Sequence, residues 1–583
     1  MTIPRRKMKA ISVFAFLVLV VAGQGARDNK GTKFILTFTE NAQRNGIDPR
    51  LVVAGTTQTP ATVSVEVPAA GFQQTFDIKF GEVNTVDVPR TAVELRGSAT
   101  QNTGIIITAT DEIVVYGVFA ERASSDAFLA LPTDVLGTEY YVSCYNPSSN
   151  EPSQFGVVGI RDGTTVNIVP TQDVTFDGTA YTAGQTITVT LDRLQTLQVQ
   201  SDADLTGSKI TSDKKVGVLS GNLFVIIGNG QSGTGDHIVE MIPPVDTWGK
   251  EFVTVPLAKR TVGDKFRVIA ARDNTQVNVT EKSASPVTLN AGEFWEFNPG
   301  TDKSHYVVAT EPVILMQYSK TGDADNTDTD PFMLMIPPLQ QFAADYTFAT
   351  AQLISDPSSV THHVNIAIRD SEKAGLLLDG NPLDPSVTWT PIPGTAWSGA
   401  QIDIADGTHT LVHTSPIVTF GISVYGFTHP ESYGYPGGLR LAQIAAPCVA
   451  TATISGDGVD NDCDGRIDEE LANGLDDDGD GAIDEDLAGP SSEAPVPCES
   501  DKDEYKNCVE QNLGNCVVTA LLSSGTARNN RVRRAAEEAE DFAREAEAEE
   551  FVVAAIAVVA MGVVMVVVMA MTYHLQKQRL LAA

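Results

Sequence analysis

VVGIRDGTTVNI (157–168), VIAARDNTQVNV (268–279) and VNIAIRDSEKAGLL (364–377) share one plan: an apolar strand, an Arg-Asp pair, and in at least the first two a second strand. The pairs are Arg161-Asp162, Arg272-Asp273 and Arg369-Asp370. Alternating apolar and polar residues around a turn mark a β-hairpin, and its return about every hundred residues makes it a repeat. Each aspartate is expected to satisfy turn backbone, since Asp readily hydrogen-bonds its own neighbours. A second phrase lags the first: DAFLALPTDVLGTEYYV (126–142), DHIVEMIPPVDTWGKEFVTV (236–255) and DPFMLMIPPLQQFAADYTFAT (330–350), with a degenerate member ending in SYGYPGG (432–438). Each begins with Asp, runs through an apolar strand to Pro, and turns into an aromatic strand. From 32 to 446 the chain is rich in Val, Thr, Ile and Phe, broken at short intervals by Gly, Asn, Asp and Pro. The expectation is an all-β region of four tandem units of roughly 100 residues, β-sandwich-like, beginning near 32, 155, 266 and 361. A large β-propeller with two blades per unit is the alternative.

Beyond this region, in the Cys-containing segment 448–516, two Asp-rich copies stand head to tail over 457–488: DGVDNDCDGRIDEELA (457–472) and NGLDDDGDGAIDEDLA (473–488). Acids at the first, third and fifth loop places (Asp460, Asp462, Asp464; Asp476, Asp478, Asp480) can converge on one hard cation. Gly465 and Gly481 supply the sharp turn at the sixth place. Arg466 and Ala482 would offer a backbone carbonyl at the seventh, Ile467 and Ile483 would pack beneath the loops, and Asp468 and Asp484 fill the ninth. The twelfth place holds Leu471 or Leu487 where an EF-hand has a bidentate Glu. The copies resemble the half-loops of thrombospondin type 3 and dockerin repeats, which implies bound Ca²⁺. A solvated acidic linker is the plainer alternative.

Residues 1–25 read as a secretion signal: basic Arg5, Arg6, Lys7 and Lys9, then an apolar run, then small residues. The uncharged stretch 551–573 is long enough for a membrane helix by the ~20-residue criterion. The acidic juxtamembrane segment 517–550 precedes it, and the tail 574–583 carries Lys577 and Arg579. That asymmetry predicts a plasma-membrane protein with a single pass, its N-terminal ectodomain outside and its tail in the cytoplasm. A lipid-anchor signal would end in its apolar stretch, so the basic tail favours a retained span. A formal net charge of −34 and a pI near 4.5 exclude a nucleic-acid binder. Six cysteines are too few to build a region of this size, so its core is expected to be hydrophobic. Cys448, Cys463, Cys498, Cys508 and Cys516 cluster after the β-region, where disulfides are expected, while Cys144 stands alone. Asn278 opens the glycosylation sequon Asn278-Val279-Thr280. Arg531, Arg533 and Arg534 form a site of the kind proprotein convertases cut.

DLTGSKITSDKKVGVLSGN (204–222), the Asp-to-Pro-Pro phrases and SYGYPGG together resemble the N-terminal domain family of the IgG Fc-binding protein, over about 33–445. The resemblance implies an extracellular binding module with no established catalytic residues. Long Cys-rich repeats of that protein are missing here, so incorporation into a disulfide-linked mucus network is not expected.

No catalytic motif competes with this reading. Gly228, Gly230 and Gly233 spell GxGxxG, but strand-like HIVEMIPP follows where a dinucleotide loop needs a helix. His237 beside Asp236 and Ser232 lacks the convergence of separate elements that a triad requires. His362 and His363 would point to opposite faces of a strand, which prevents joint chelation. Asp323, Asp325, Asp328 and Asp330 read first as a solvated connection and second as a further calcium loop. The function expected is therefore non-enzymatic: a cell-surface recognition or adhesion protein with an extracellular protein or glycoprotein ligand and a calcium-stabilised stalk. The alternative is a shed structural component of mucus or matrix.

Overall fold

Lys209–Val225 buries only Ile210 in its first half and is almost continuously buried in its second. Such a strand cannot lie in one flat sheet, because its second half must be covered on both faces. The computed structural model describes residues 27–488, apart from 43–46, 149–150, 229–232, 283–284, 301–302, 328, 354–359, 429, 447, 449, 452, 457–458, 464–465, 474–476 and 478–482. Among the described residues four units follow one another. The first contains β1 (Gly31–Leu36), β2 (Arg50–Gly55), β3 (Ala61–Val67), the long β4 (Ile105–Glu121) and β5 (Ser124–Leu129). The second contains β6 (Gly137–Tyr141), β7 (Ser153–Gly159), β8 (Thr164–Val169), the long β9 (Lys209–Val225) and β10 (Asp236–Met241). The third contains β11 (Gly249–Val253), β12 (Lys265–Ala270), β13 (Thr275–Val279), the long β14 (Tyr306–Tyr318) and β15 (Met333–Ile336). The fourth contains β16 (Asp345–Ala349), β17 (Thr361–Arg369), β18 (Thr408–His413), β19 (Gly421–Thr428) and β20 (Glu431–Pro436), with further strands between β17 and β18.

The first half of β9 pairs with β6 and β8, and its second half with β7 and β10, all antiparallel. β4 divides itself in the same way between β1 with β3 and β2 with β5. β14 does so between β11 with β13 and β12 with β15. The register slips at the bend, between Thr211 and Val216 in β9, where the polar run Asp213-Lys214-Lys215 lets the strand turn from one face of the sheet to the other. In the fourth unit the long strand is broken into β18 and β19, and Pro416 lies in the break, where it cannot donate to a ladder. Each sheet thus curls around its own bent strand into a barrel-like unit.

The opening glycine of a unit explains the recurrent proline. A Cβ built on Gly31, Gly137 or Gly249 would lie 2.5, 2.4 or 2.3 Å from the Cβ of Pro132, Pro244 or Pro338 respectively. In the first three units the opening strand seats its backbone on the proline that follows the unit's last strand, and no side chain fits between. This pairing also corrects the expected unit starts. The aromatic strand following each proline pairs forward with the next long strand, so the first unit begins at Gly31, close to the expected 32, while the others begin at Gly137, Gly249 and Asp345 and not near 155, 266 and 361.

The four closing strands meet one another. β5 neighbours β10, β10 neighbours β15, β15 neighbours β20, and β20 returns to β5, so the units close a ring. Their sequences supply the reason: Ser124–Leu129, Asp236–Met241, Met333–Ile336 and Glu431–Pro436 are buried throughout. Each fully covered Val, Leu or Ile side chain contributes about 1.5–3 kcal/mol relative to exposure.

One side chain ties the ring together. The carboxylate of Asp126, fully buried, accepts the backbone N–H of Ala127 (2.8 Å), Val239 (3.0 Å), Met333 (3.4 Å) and Gly434 (3.4 Å), one from each unit. The last three donors occupy the same place, three residues past Asp236, Asp330 and Glu431. A carboxylate has about four lone-pair sites, so four donors saturate it. Burial raises its pKa well above the ordinary range, against the opposing pull of those N–H groups.

Candidate functional site

The Asp-rich copies are held against the β-region by Arg440, whose guanidinium donates to the carbonyl of Ile467. A disulfide joins Cys448, upstream of the first copy, to Cys463 within it. Among the described residues Cys144 is free and buried, far from thiol chemistry because burial pushes its pKa upward. Cys498, Cys508 and Cys516 lie outside the described residues.

Ligand-capable oxygens of Asp460, Asp462 and Asp486 lie within 4.8 Å of one another. The first two were expected; Asp486 was not, and it comes from the other copy. It sits at the eleventh place of the second loop, fully buried, accepts the N–H of Asn461 at 3.3 Å, and its Oδ1 has no hydrogen-bond partner among the described residues. Glu470, at the eleventh place of the first loop, does the reciprocal thing by accepting the N–H groups of Asp477 (2.7 Å) and Asp484 (3.1 Å) of the second. A parallel bridge between Glu470 and Leu487 holds the two loops in this register. The acid that stands beside Asp460 and Asp462 thus comes from the neighbouring copy. Burial first, and then the charges of Asp468 and Asp462, push Asp486 up to about 7. The signal existed in the sequence, since both copies carry an acid at the eleventh place, in phase.

Asp468 and Asp484 adopt left-handed backbone at φ 51° and 56°, and Asp484 accepts the N–H of Asn473 at 3.1 Å. Arg466 is exposed. Asp464, Asp476, Asp478, Asp480 and Ala482 lie outside the described residues. Ile467 is buried as expected, but Ile483 is 57% exposed, so the second copy does not seat its isoleucine. Arg531, Arg533 and Arg534 and the expected span 551–573 also lie outside. Among the described residues no helix is long and apolar enough to cross a membrane. Asn278 is half-buried on β13, and the Thr280 hydroxyl of its sequon accepts from the N–H of Tyr306 at 3.0 Å.

The other histidines and acids have structural occupations. His237 meets Phe119 edge-on with ring centroids 4.4 Å apart, and burial depresses its pKa to about 3. His362 and His363 point apart, their Nδ1 atoms 2.8 Å from the Tyr433 hydroxyl and 2.7 Å from Asp403. Asp325 is clamped by Arg260 at 2.8 and 3.0 Å and Asp330 is buried, and among the described residues the acidic loop gathers no carboxylate cluster; Asp328 lies outside them. β10 follows Gly233, as a strand and not the helix a dinucleotide loop requires. The Arg-Asp aspartates reach further than their own neighbours: Asp162 accepts from Arg193 N–H and Asp273 from Ala291 N–H, each at 3.0 Å, bracing the turn of the adjoining hairpin.

Where units meet, those arginines do different things. Between the second and third units Arg272 reaches Glu139 at 3.4 Å. Deeper in, Arg267 stacks on Tyr145 (4.4 Å) and Phe294 (4.5 Å) and donates to Asp204 (2.8 Å) and the Cys144 carbonyl (2.9 Å). Between the first and second units Arg161 instead borders an open cavity of about 620 Å³ with Lys33, Arg193 and Lys215.

The model of the IgGFc binding protein family matches residues 126–426, beginning at the axial Asp126. The human IgGFc-binding protein is 26% identical over 405 residues, which cover 69% of this chain and 7% of that protein. A biofilm-associated protein domain (8% identity, 74% of this chain and 98% of that one, TM-score 0.12) and a chemokine-binding protein of rodent gammaherpesvirus Peru (8%, 54% and 89%, TM-score 0.13) are too dissimilar to inform the fold. Matched to that family model over more than half of its length, the chain belongs to the IgGFc-binding protein family.

Proposed function

We propose that this chain is a recognition or adhesion protein of the cell surface, whose β-ring takes an extracellular protein or glycoprotein ligand. The observation that carries the reading is where the family match falls: residues 126–426 run from the ring's central carboxylate through the second and third units into β19 of the fourth. The human relative is named for binding immunoglobulin Fc, and this chain spans only 7% of it, so immunoglobulin is one ligand to test among glycoproteins generally. The leader at 1–25 and the span at 551–573, followed by Lys577 and Arg579, support single-pass anchoring with the ring outside. The test displays the full chain on cells with immunoglobulin G, mucin-type glycoproteins and their deglycosylated forms as probes. Saturable binding of at least one is expected; no binding above cells lacking the chain overturns the reading.

Two further elements belong to this proposal. Asp460, Asp462 and Asp486, joined by Asp464, would hold Ca²⁺ in the first loop, and Asp476, Asp478, Asp480 and Asp484 in the second, which neutralises crowded carboxylates and stiffens the stalk. The buried Asp486 oxygen without a partner supports this. Calcium affinity of about 10⁻⁴ to 10⁻³ M is expected, weakened by Asp486→Asn as well as by Asp462→Ala. Calorimetry showing no binding at millimolar calcium would sink it. Cleavage at Arg531–Arg534 would release the ring and stalk together. Equal soluble ectodomain from the native chain and from Arg533→Ala plus Arg534→Ala would remove that site as the route of release.

A further inference from the structure

We infer that the cleft between the first two units binds an anionic saccharide, its sulfate or carboxylate groups held by Lys33, Arg161, Arg193 and Lys215. This rests on the recognition role proposed above and gives it a ligand chemistry. Four cations lining a cavity of about 620 Å³ are not background in a chain of net charge −34. That volume falls within the roughly 300–1,000 Å³ of ordinary small-ligand sites.

Strand register shows what each cation replaces. Gly31, Gly137 and Gly249 pair with Ile113, Val216 and Val313 at the bends of β4, β9 and β14. Two residues on, the units carry Lys33, Glu139 and Glu251, so the first has lysine where its sisters have acid. Just before the bend partner stand Glu112, Lys215 and Pro312. Arg193 and Ala291 are matched by the same backbone bond to Asp162 and Asp273. Three cations therefore stand where sister units carry acid, proline or alanine, and all three face Arg161. Its counterpart Arg272 pairs with Glu139; at the matching place Arg161 meets Lys33.

Among the described residues Lys33, Arg161 and Arg193 make no ion pair, and Lys215 gives its ammonium to the backbone carbonyl of Asp134. Desolvation first, and then the charge of Arg27, lower the pKa of Lys215 against the opposing pull of Asp134 and Asp246, with Arg161 adding a smaller push. Thr133, Asp134 and Asp162 share the cleft. Their oxygens can accept hydrogen bonds from sugar hydroxyls standing between the charged groups, donors that the side chains of a Glu or Asp run lack. This mixed lining favours a saccharide over an acidic peptide.

The test uses the purified full chain, a sulfated oligosaccharide, a sialylated oligosaccharide, a neutral oligosaccharide and poly-glutamate. Binding of the sulfated or the sialylated probe is expected, and which of them binds identifies the anion; the neutral probe should not bind, and affinity should fall with added salt. Lys33→Glu, which restores the acid of the sister units, and separately Arg193→Ala should each weaken binding at least about tenfold with thermal stability unchanged. Arg272→Ala should leave binding intact. Affinity unaltered by both cleft variants, or tighter binding of poly-glutamate than of either charged saccharide, overturns the proposal. Glycoprotein binding that survives Lys33→Glu would leave the recognition role standing without this cleft. Saccharide binding that depends on Lys33, with no glycoprotein bound, would do the reverse.

Discussion

The junction between the second and third units and the junction between the first and second are built on the same strand positions with opposite outcomes. In the former, Arg267 fills the interior between Tyr145 and Phe294 and Arg272 reaches Glu139 at the rim. In the latter, the place of Arg267 is taken by Gly156, where a Cβ would come within 2.7 Å of Leu95, and the rim carries Arg161 and Lys33 beside an open cleft. A repeat therefore fixes where units touch, while a few substitutions decide whether the contact is sealed by charge pairing or left open for a ligand.

The largest expected effect removes what both junctions share. Asp126→Ala orphans N–H donors from all four units, and at about 1–3 kcal/mol for each unsatisfied buried group the ring should lose at least about 3 kcal/mol. Urea denaturation measures this; a loss below 1 kcal/mol would mean the carboxylate does not hold the ring. Next comes Arg267→Ala, which breaks the sealed junction alone. It strips Asp204 of a buried partner and empties the space between two rings, so about 2–4 kcal/mol is expected. Anion binding at the other junction should persist, and its loss would show that the two are coupled.

A smaller effect comes from pH. Burial first, and then the charges of Glu431 and Asp323, push Asp330 up to about 7. Its unfolded value is near 4, so between these limits the folded state binds the proton more tightly and stability falls as pH rises. Below about pH 4 the difference vanishes, and above about 7 the loss is complete. Thermal unfolding from pH 4 to 8 should show this decline, flattened in Asp330→Asn; an identical slope in the variant would contradict the assignment. The smallest effect is Arg272→Ala. Both partners are part-exposed, so no more than about 1 kcal/mol should be lost. A larger value would mean the rim pair seals the junction and does not merely decorate it.

Much of this was legible locally. Period-two alternation, the Arg-Asp turns and the Asp-to-Pro phrases lie within single hairpins, so they declared an all-β repeat and its family without reference to anything distant. The Asp-rich copies likewise announced Asp460 and Asp462 by spacing, and opposite faces of one strand separated His362 from His363. The unit starts were misplaced because Gly137–Tyr141 lies beside one hairpin in sequence and pairs with another, Lys209–Val225. Nothing in Asp126 itself tells it from Asp236 or Asp330; its role rests on N–H groups more than a hundred residues away. Asp486 and Glu470 close each other's loops only because the two copies dock. The cationic cleft exists because Lys33, Arg161, Arg193 and Lys215, scattered over two units, arrive at one place. Local pattern is set by backbone geometry and side-chain polarity, which the sequence states outright; convergence is set by closure of the ring, where contacts between distant residues decide which of several equivalent side chains becomes functional.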